Sequence, residues 1–375
     1  MTIVVFLIIV GLMVVAEFIY YRRHAFDDID LDVQFSRPIA NHGEIIEVIE
    51  VSQNNKRLPL PFLLLKFESP MVLEFQDMTN TSVSDYLYRE DMLTMKPYSK
   101  HTRTIKARCS HRGYYAFARV NITTADLLLM AKLTKEFPSN ASITILPELV
   151  DPSSIKTLLS VTFSEVVQRR TLLTDPFTFA GIRDYQPWDP MKSINWTATA
   201  KAGDFMVNTN ASTSMKQVSI YVNLEYYNMK KSDSLLEKSI SLAYSYILEL
   251  SKLGIPTALY TNGMDILNDT PVISRTNCDL SNVSQRGIEL ARIDLEKEVL
   301  PFPQLLEENA MKLKDEFIVV ISPKYDGSFI PALLRLKSHA SSMLWVMPAY
   351  KASPKPAIDS ALQQNYFRWE VLGHD

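Results

Sequence analysis

The N-terminal apolar run is the feature that most constrains this chain. Residues 3–16 are almost entirely apolar, and residues 18–21 extend the run to about the 20 residues that cross a lipid bilayer. Glu17 interrupts the run near its end, where a carboxylate can reach the interface. We therefore predict a transmembrane anchor over residues 1–23 that contacts the bilayer through residues 3–21. A buried core helix is the structural alternative.

The flanks of this run favour an anchor and set its orientation. Tyr20 and Tyr21 are typical of an interfacial aromatic belt, and Arg22 and Arg23 follow them directly. No basic segment precedes the run and no A-x-A pattern follows it, which disfavours a cleaved signal peptide. Because positive flanks stay in the cytoplasm, we expect a single-pass protein of the cell membrane whose soluble part is cytoplasmic.

Residues 24–150 carry short strand patterns. Apolar and polar residues alternate in IDLDVQFS and GEIIEVIEVSQ, and FLLLKFES, TRTIKARCS, YYAFARVNIT and ASITILPEL follow at intervals bounded by turn residues. Strand patterns spaced by about 8–12 residues are typical of an antiparallel sandwich. We predict an antiparallel β-sandwich over residues 24–150.

Residues 213–375 alternate strand patterns with helix patterns. The strand-like segments are QVSIYVNLE, TALYTN, EFIVVIS and SMLWVMPA; the helix-like segments are SLLEKSISLAYSYILELSKLG, VSQRGIELARIDLEKEV, FPQLLEENAMKLK and FIPALLRLKSHA. Ser234 and Glu237 form a candidate capping box, and Gly254 is a helix stop. This alternation predicts an α/β domain with a mostly parallel sheet, and ligands would bind beyond the carboxyl ends of its strands. The whole chain is therefore predicted to be an α+β multidomain protein.

Residues 151–212 are predicted to be a linker that begins with a short helix. The linker contains the stretch GIRDYQPWDPMKSINWTATA, in which Asp189 followed by Pro190 predicts a helix that runs to about Lys201. The Arg183 guanidinium is expected to bind Asp189 or Asp184. The structural interpretation is a helix held between two domains by Trp188 and Trp196.

Composition excludes several classes of function. A net charge of −3 disfavours nucleic acid as a partner, and only 10 glycines, with no G-x-G-x-x-G or P-loop pattern, disfavour a phosphate-binding loop. The six histidines are scattered without metal-ligand spacing. Cys109 and Cys278 are far apart in the sequence and are predicted to be unpaired thiols, with a single disulfide as the alternative.

The central stretch resembles the signature of the domain-of-unknown-function 58 family. That signature reads roughly G-x-R-x-Y-x-x-G-D, then I-[DN]-W-x-x-[ST]-A-[RK]. The matching residues here are Gly181, Arg183, Tyr185, Asp189, Ile194, Asn195, Trp196 and Lys201. HRGYYAFARVNITTADLLLMAKL and ITILPEL resemble further family elements. Trp188 stands where the family has glycine, and one membrane helix is visible where many members have two.

This resemblance implies a β-sandwich followed by a domain like von Willebrand factor A. Such proteins are similar to partners of MoxR-type AAA+ ATPases, and they are often linked with transglutaminase-like membrane proteins. The motif residues are then expected to form a partner-binding or interdomain surface. No catalytic residue is carried over from the family.

The resemblance also locates a candidate metal loop. Domains like von Willebrand factor A often hold Mg²⁺ at a D-x-S-x-S loop after the first strand. The corresponding loop here begins at Asn223 and includes Glu225, and the Asp and both Ser residues of the pattern are absent. Asp326 follows a later strand, but not at the usual place. We therefore expect no bound metal and no cofactor.

Three functions are compatible with these patterns. We favour a membrane-anchored, non-catalytic adaptor or scaffold that acts with a MoxR-type AAA+ ATPase. The alternative is an exported cell-envelope protein that binds through its β-sandwich. It draws on seven N-x-[ST] triplets, at Asn80, Asn121, Asn140, Asn195, Asn210, Asn268 and Asn282.

An enzyme is the third possibility. Its candidate acid–base groups would be Asp184, Asp189 and Glu225, with Arg183 as an anion clamp. Catalytic carboxylates must share one pocket with separated pKa values, and the sequence shows no nucleophile paired with a base. We therefore predict that the protein is not an enzyme.

Overall fold

The structure, a computed structural model, divides the chain into two compact units. One contains residues 1–148 and 287–293, and the other contains residues 149–286 and 294–375. The described residues are 2–69, 72–76, 81–83, 87–130, 132–172, 174–187, 189–212, 217–225, 232–278, 281–310, 316–325, 327–340, 342–353, 355–356 and 358–371.

Helix α1 (Thr2–His24) opens the first unit. By length and composition it is the one helix among the described residues that qualifies as a candidate membrane span. Most of its apolar side chains are exposed, whereas Tyr21 near its end is buried, together with Ala25 just beyond it. These two residues pack in a small core cluster with Leu60, Leu63, Met95 and Ile122. The end of α1 is therefore packed against the strands that follow.

Ten strands of the first unit form two sheets. They are β1 (Ile29–Phe35), β2 (Ile39–Ala40), β3 (Ile45–Asn54), β4 (Leu60–Ser69), β5 (Leu73–Phe75), β6 (Thr81–Val83), β7 (Leu87–Met95), β8 (Ser99–Cys109), β9 (Gly113–Ala125) and β10 (Lys132–Ile145). The sheet orders are β1-β3-β8-β5 and β2-β10-β9-β4-β7-β6. All pairs are antiparallel except β2 with β10.

The core of this unit lies between the two sheets. Inward-facing residues of one sheet, such as Val48 and Ala107, share a cluster with Leu65, Phe67 and Phe117 of the other. Successive residues of a strand point to opposite faces, which is why the alternating pattern of β3 buries every second side chain. The predicted antiparallel β-sandwich is confirmed.

A seven-stranded sheet organises the second unit. Its strands are β13 (Val218–Val222), β14 (Thr257–Asp265), β15 (Pro271–Cys278), β16 (Ile293–Asp294), β17 (Phe317–Ile321), β18 (Ser342–Tyr350) and β19 (Tyr366–Val371). The order is β15-β14-β13-β17-β18-β19, and β16 pairs with β14. Neighbours from β14 to β19 are parallel, whereas β15 is antiparallel to β14, so the sheet is mixed. β13 and β17 are buried at every position, as the continuous apolar runs of a covered parallel sheet require.

Helices alternate with these strands along the chain. They are α4 (Ser232–Lys252), α5 (Val283–Ala291), α6 (Phe302–Ala310) and α7 (Phe329–His339). Phe302 of α6 and Phe329 of α7 share a core cluster with Trp345 of β18. Helix α4 packs against β13, β14 and β18. Gly254, with φ 68°, ends the segment after α4 in the left-handed region, as the sequence predicted.

Three helix predictions are wrong in their bounds. Helix α4 begins at Ser232, so Ser234 lies inside it and is not its cap. The helix predicted through VSQRGIELARIDLEKEV ends at Ala291, because the chain becomes extended at β16, which begins at Ile293. Helix α2 (Pro152–Leu172) is 21 residues long and not the short helix predicted; it packs against α4, and its Ile155 and Leu158 are buried.

The family-like stretch runs from the end of one strand of the second unit into the helix that precedes the strand's partner. β11 (Thr174–Asp184) and β12 (Met206–Ser212) are antiparallel, and helix α3 (Trp196–Ala202) precedes β12. The linker predicted over residues 151–212 therefore has regular structure of its own.

Candidate functional site

An ion pair holds the loop that follows β11. Arg183 donates from both terminal nitrogens to Asp189, with Nη1 at 2.6 Å from Oδ2 and Nη2 at 2.7 Å from Oδ1. Asp189 Oδ2 also accepts the Gln186 backbone N–H at 2.9 Å. This geometry is the bidentate fork that makes arginine–carboxylate pairs specific in direction. The predicted Arg183–Asp189 pair is present.

The charges of this pair stabilise each other. Hydrogen bonding from Arg183, and secondarily from the Gln186 N–H, lowers the pKa of Asp189 below its ordinary value. The Asp189 carboxylate in turn raises the pKa of Arg183. Both groups are therefore charged at neutral pH, and they are paired with each other.

The helix of this motif begins later than its sequence predicts. Asp189 is not the N-cap, because its carboxylate is bound to Arg183 and Gln186; residues Met191–Ser193 form one turn of 3-10 helix instead. Ile194 is extended, is buried and bridges to Val207. Asn195 is the true N-cap of α3, and its Oδ1 accepts the Ala198 N–H at 3.0 Å.

Asn195 also ties the helix to the neighbouring strand. Its Nδ2 donates to Asn208 Oδ1 at 2.7 Å, and its backbone N–H donates to Met206 O at 2.8 Å. At the other end of α3, Gly203 lies in the left-handed region with φ 85°, which is typical of a residue that ends a helix. Both ends of this short helix are thus fixed to β12.

Three rings form a surface that we call the aromatic platform: Tyr185, Trp196 and Phe205. Phe205 lies between the other two, with ring centroids 6.0 Å from Tyr185 and 6.3 Å from Trp196, both in edge contact. Trp196 is 63% exposed and Phe205 is 53% exposed. The Tyr185 backbone N–H donates to Phe205 O at 2.8 Å, so the rings are joined through the main chain as well. The platform is therefore apolar, exposed and held in place.

The remaining motif residues belong neither to the ion pair nor to the aromatic platform. Gly181 lies in β11 opposite Thr209. Lys201 lies in the last turn of α3, and its side chain is exposed. Ile182 and Met191 add two further exposed apolar side chains to the segment that carries the platform.

Polar side chains meet at the carboxyl ends of three neighbouring strands. Asn223 and Ser322 directly follow β13 and β17, Asn262 lies in the last half of β14, and all three are fully buried. Asn223 Nδ2 donates to Ser322 Oγ at 3.0 Å, and Asn223 Oδ1 accepts the Glu225 N–H at 3.0 Å. The Ser322 hydroxyl donates to Lys324 O at 2.6 Å.

Asn262 extends this network to neighbouring loops. Its Oδ1 accepts the Leu224 N–H and its Nδ2 donates to Leu300 O, both at 2.9 Å. Buried amides are costly unless bonded, so these pairings explain why polar residues are tolerated there.

Glu225 is bound on both carboxylate oxygens. Oε1 accepts the Phe302 N–H at 2.7 Å, which satisfies a free donor at the start of α6, and Oε2 pairs with Lys324 Nζ at 3.0 Å. At the predicted degenerate metal loop, Asn223 and Glu225 therefore bond to the protein itself. Within the described ranges, no group of three His, Cys, Asp or Glu residues is placed to hold a metal ion.

The candidate acid–base residues belong to separate clusters. Asp189 is bound by Arg183 and Gln186, whereas Glu225 is bound by Lys324 and the start of α6. Asp184 is exposed in β11, and its carbonyl accepts from Arg183. Trp188, Asp326 and the triplet residue Asn80 lie outside the described residues.

Sequence reasoning missed Phe205, which carries no motif and owes its role to the pairing of β11 with β12. The rule that ligands bind beyond strand ends pointed to the edge that contains Asn262, Ser322 and Lys324, but it did not identify their individual bonds.

Comparisons with known proteins give partial structural likeness only. No protein-family profile matches the chain, and no curated protein matches it. Among solved structures, the CARDB domain of a Pyrococcus furiosus protein in complex with di-metal ions is similar at 15% identity and a TM-score of 0.22, over 32% of this chain and 96% of that chain. A non-cellulosomal cohesin from Archaeoglobus fulgidus is similar at 16% identity and a TM-score of 0.24, over 32% and 91%. A type I cohesin–dockerin complex from Clostridium thermocellum gives 13% identity and a TM-score of 0.21, over 32% and 100%. In each case the likeness is confined to about a third of this chain.

Proposed function

We propose that this protein is a membrane-anchored, non-catalytic adaptor that binds a partner protein through the aromatic platform. The platform is the observation that carries the proposal. Trp196 and Phe205 expose large apolar rings that folding alone would favour burying, since each aromatic side chain can remove 150–250 Å² from water. Large exposed apolar patches are typical of sites that another molecule covers.

The surroundings of the platform fit a protein partner. Tryptophan, tyrosine and arginine are the residues that most often dominate the energy of protein interfaces. Arg183 lies in the same motif as Trp196 and Tyr185, and its pairing with Asp189 fixes the loop between them. A fixed apolar surface loses little entropy when it binds, which favours affinity.

The polar residues at the edge of the sheet favour a partner that is recognised by surface shape instead of through a bound metal ion. Asn223 and Glu225 are engaged by Ser322, Lys324 and the start of α6. A partner carboxylate bridged by Mg²⁺, the mode that the family-like domain suggests, would have to displace these bonds. We therefore assign partner recognition to the aromatic platform.

The partner we propose is a MoxR-type AAA+ ATPase, with a transglutaminase-like membrane protein as a further member of the complex. Both follow from the resemblance of Gly181, Arg183, Tyr185, Asp189 and Trp196 to the domain-of-unknown-function 58 signature. In this proposal the second unit is a degenerate domain like von Willebrand factor A.

The platform is tested by isolating the full-length protein from its host in mild detergent and identifying bound proteins by mass spectrometry. We expect a stoichiometric AAA+ ATPase with the native chain and at least a tenfold loss of it with Trp196→Ala, since a central aromatic contributes roughly 2 kcal/mol or more. Phe163→Ala is the matched control, because Phe163 is an exposed aromatic on α2 outside the platform. Equal retention of the ATPase by both variants would refute the platform, and its absence from the native complex would refute the adaptor function.

The anchor and its orientation have their own test. We place α1 across the cell membrane with the soluble part in the cytoplasm, on the basis of Arg22 and Arg23 after the helix. Protease added to intact cells should leave the soluble part uncut, and cell lysis should expose it. Digestion in intact cells would instead support the exported cell-envelope protein that binds through its β-sandwich.

A further inference from the structure

The loop between β9 and β10 exposes a second apolar surface beside helix α1. We call residues 127–130 the apolar loop; its members are Leu127, Leu128, Leu129 and Met130, and all four side chains are exposed. The backbone of the loop is nevertheless ordered by Asp126, which accepts the Leu129 N–H on its carbonyl at 3.0 Å and the Met130 N–H on Oδ1 at 2.6 Å. A folded turn therefore presents four consecutive apolar side chains to the exterior.

The apolar loop is attached directly to α1. The Leu127 N–H donates to Glu17 Oε1 at 3.0 Å. One helical turn further along α1, the Tyr21 hydroxyl lies 3.5 Å from Thr124 Oγ1 and donates to Pro59 O at 3.2 Å. Thr124 is therefore beside Tyr21, and Leu127 is beside Glu17, which is four residues nearer the N-terminus of α1. Four residues at 1.5 Å each correspond to about 6 Å along the helix axis.

The length of α1 decides where this loop lies relative to a membrane. From Ile3 to Glu17 the helix is about 21 Å long, and from Ile3 to Tyr21 it is about 27 Å, whereas the hydrocarbon core of a bilayer is about 30 Å thick. The helix can span the core only if Glu17 and the residues just after it are at or inside the hydrocarbon boundary. The loop amide bonded to Glu17 must then be at the same depth.

The charges around the loop match a lipid surface. Arg22 and Arg23 are exposed at the end of α1, and Lys132 and Lys135 are exposed at the start of β10. Lys135 also lies over the rings of Phe26 and Phe137, at 6.0 and 5.2 Å from their centroids. Basic side chains with aromatic and apolar neighbours are the usual composition of a surface that sits among lipid headgroups.

We propose that the apolar loop inserts into the leaflet from which α1 emerges, so that the β-sandwich is seated on the bilayer at two points. This inference rests on the proposed membrane anchor, because the loop reaches lipid only if α1 spans the membrane. The occupant of this surface is the bilayer itself, and its contact is continuous with that of α1.

The inference is tested with a fluorescent probe on the full-length protein in vesicles of phosphatidylcholine and phosphatidylglycerol. A polarity-sensitive dye is attached to Leu128→Cys in a background with Cys109→Ala and Cys278→Ser. Ile45→Cys is the matched control, because Ile45 is 50% exposed and Leu128 is 51% exposed. Ile45 lies about 30 Å along β3 from Asn54, and the Asn54 end of β3 is the end near α1, because the Asn55 N–H donates to Asp28 O at 2.9 Å.

We expect the dye at position 128 to shift its emission to the blue and to be quenched by lipids that carry a spin label on the acyl chain. The dye at position 45 should show neither change. Met130→Cys provides a second site if the first variant does not fold, because Met130 is 73% exposed and should respond in the same way.

Three results would overturn the inference in distinguishable ways. Protein that floats with the vesicles but carries an unquenched, water-exposed dye at positions 128 and 130 refutes insertion and leaves the anchor intact. A blue-shifted dye without quenching by lipid means that protein, such as a second copy of the chain, covers the loop. Failure of the intact chain to float with the vesicles refutes the anchor and the loop together.

Discussion

Replacing Asn223 by aspartate tests whether the edge of the parallel strands is a closed polar network or a dormant metal site. The native amide donates to Ser322 Oγ at 3.0 Å and accepts from the Glu225 N–H at 3.0 Å. The Ser322 hydroxyl has one proton, which it donates to Lys324 O at 2.6 Å. A carboxylate can keep the bond to Glu225, but it has no proton to give to Ser322.

The expected loss of stability follows from the number of hydrogen-bond donors that remain around Ser322. If the Ser322 hydroxyl turns to the new carboxylate, Lys324 O loses its donor; if it does not, two oxygens face each other without a proton. One lost hydrogen bond costs about 1 kcal/mol and one unsatisfied buried acceptor costs about 1–3 kcal/mol. We therefore expect Asn223→Asp to lower the local free energy of unfolding by about 2–4 kcal/mol at neutral pH.

The sign of the pH dependence is fixed by the same argument. Burial favours the protonated form of the new carboxyl group, so its pKa in the folded protein lies above its value in the unfolded chain. Stability lost at neutral pH should then return as the pH falls through that raised pKa, because the protonated group donates to Ser322 as the amide did. The native chain should show no such recovery from this position.

Hydrogen exchange read by mass spectrometry is the suitable assay, because a chain of several units need not unfold in one step. Protection of the β13 and β17 amides should fall by about 30-fold or more at neutral pH, which corresponds to about 2 kcal/mol. Asn365→Asp is the control, because it also removes an amide donor, from Nδ2 to Met343 O at 2.7 Å, but its Oδ1 lies 2.7 Å from Lys337 Nζ, so the added charge gains a cation. We expect a loss of about 1 kcal/mol or less in the control.

Two outcomes would refute this reasoning. Equal protection in both variants would mean that Ser322 does not need a donor from residue 223. Recovery of protection on addition of Mg²⁺ would mean that the strand ends can bind a cation although Lys324 pairs with Glu225 at 3.0 Å.

Three further predictions concern single side chains. Burial lowers the pKa of Lys56 to about 8, so between that pH and about 10.4 the unfolded chain binds more protons than the folded chain at this residue, and the free energy of unfolding should rise with pH. Urea unfolding in detergent should show this rise in the native chain and not in Lys56→Met. Burial raises the pKa of the Cys109 thiol to about 11, so iodoacetamide at about pH 8 should modify Cys109 only after unfolding, as read by peptide mass spectrometry. Asn195→Ala should reduce the stability of α3 by about 1 kcal/mol, seen as faster hydrogen exchange of the Ala198 amide, whereas Lys201→Ala in the last turn should leave it unchanged.

The sandwich was predictable because one local rule decides it. Alternation with period two fixes which residues of β3 and β8 face the core, and the turns between strands limit the choice of pairing. The continuous apolar runs of β13 and β17 identified the covered strands in the same way. The sequence did not show that β15 would turn back against β14, because a hairpin at the edge of a parallel sheet leaves no distinct pattern.

The bounds of the motif helix were not predictable, because tertiary bonds outweighed local preference. Asp189 before Pro190 is a good start for a helix by itself. In the folded chain Arg183 takes the carboxylate, and Ile194 is drawn into a bridge with Val207. The helix can begin only after that bridge, and Asn195 is the next residue that can cap it.

The departure of Asn223 and Glu225 from a D-x-S-x-S pattern could be read from the sequence, but the bonds that these residues make could not. Asn223 and Glu225 were singled out because an aspartate and two serines are missing around them. That Glu225 would satisfy the start of α6 depends on Phe302, which is distant in the sequence. Such contacts arise from topology, and one sequence without the fold contains no signal for them.

The two exposed apolar surfaces call for different partners, because their polar surroundings differ. The apolar loop is flanked by Lys132 and Lys135, whose charges are free to meet headgroups, and it is bonded to a helix long enough to reach lipid. In the motif that carries the aromatic platform, Arg183 is already paired with Asp189, so its charge adds little to any attraction for an anionic membrane. The platform's rings in edge contact instead offer a fixed shape, which a fluid bilayer cannot recognise and a folded partner can. A chain that uses both would bind the membrane through its first unit and leave the second free for the partner protein.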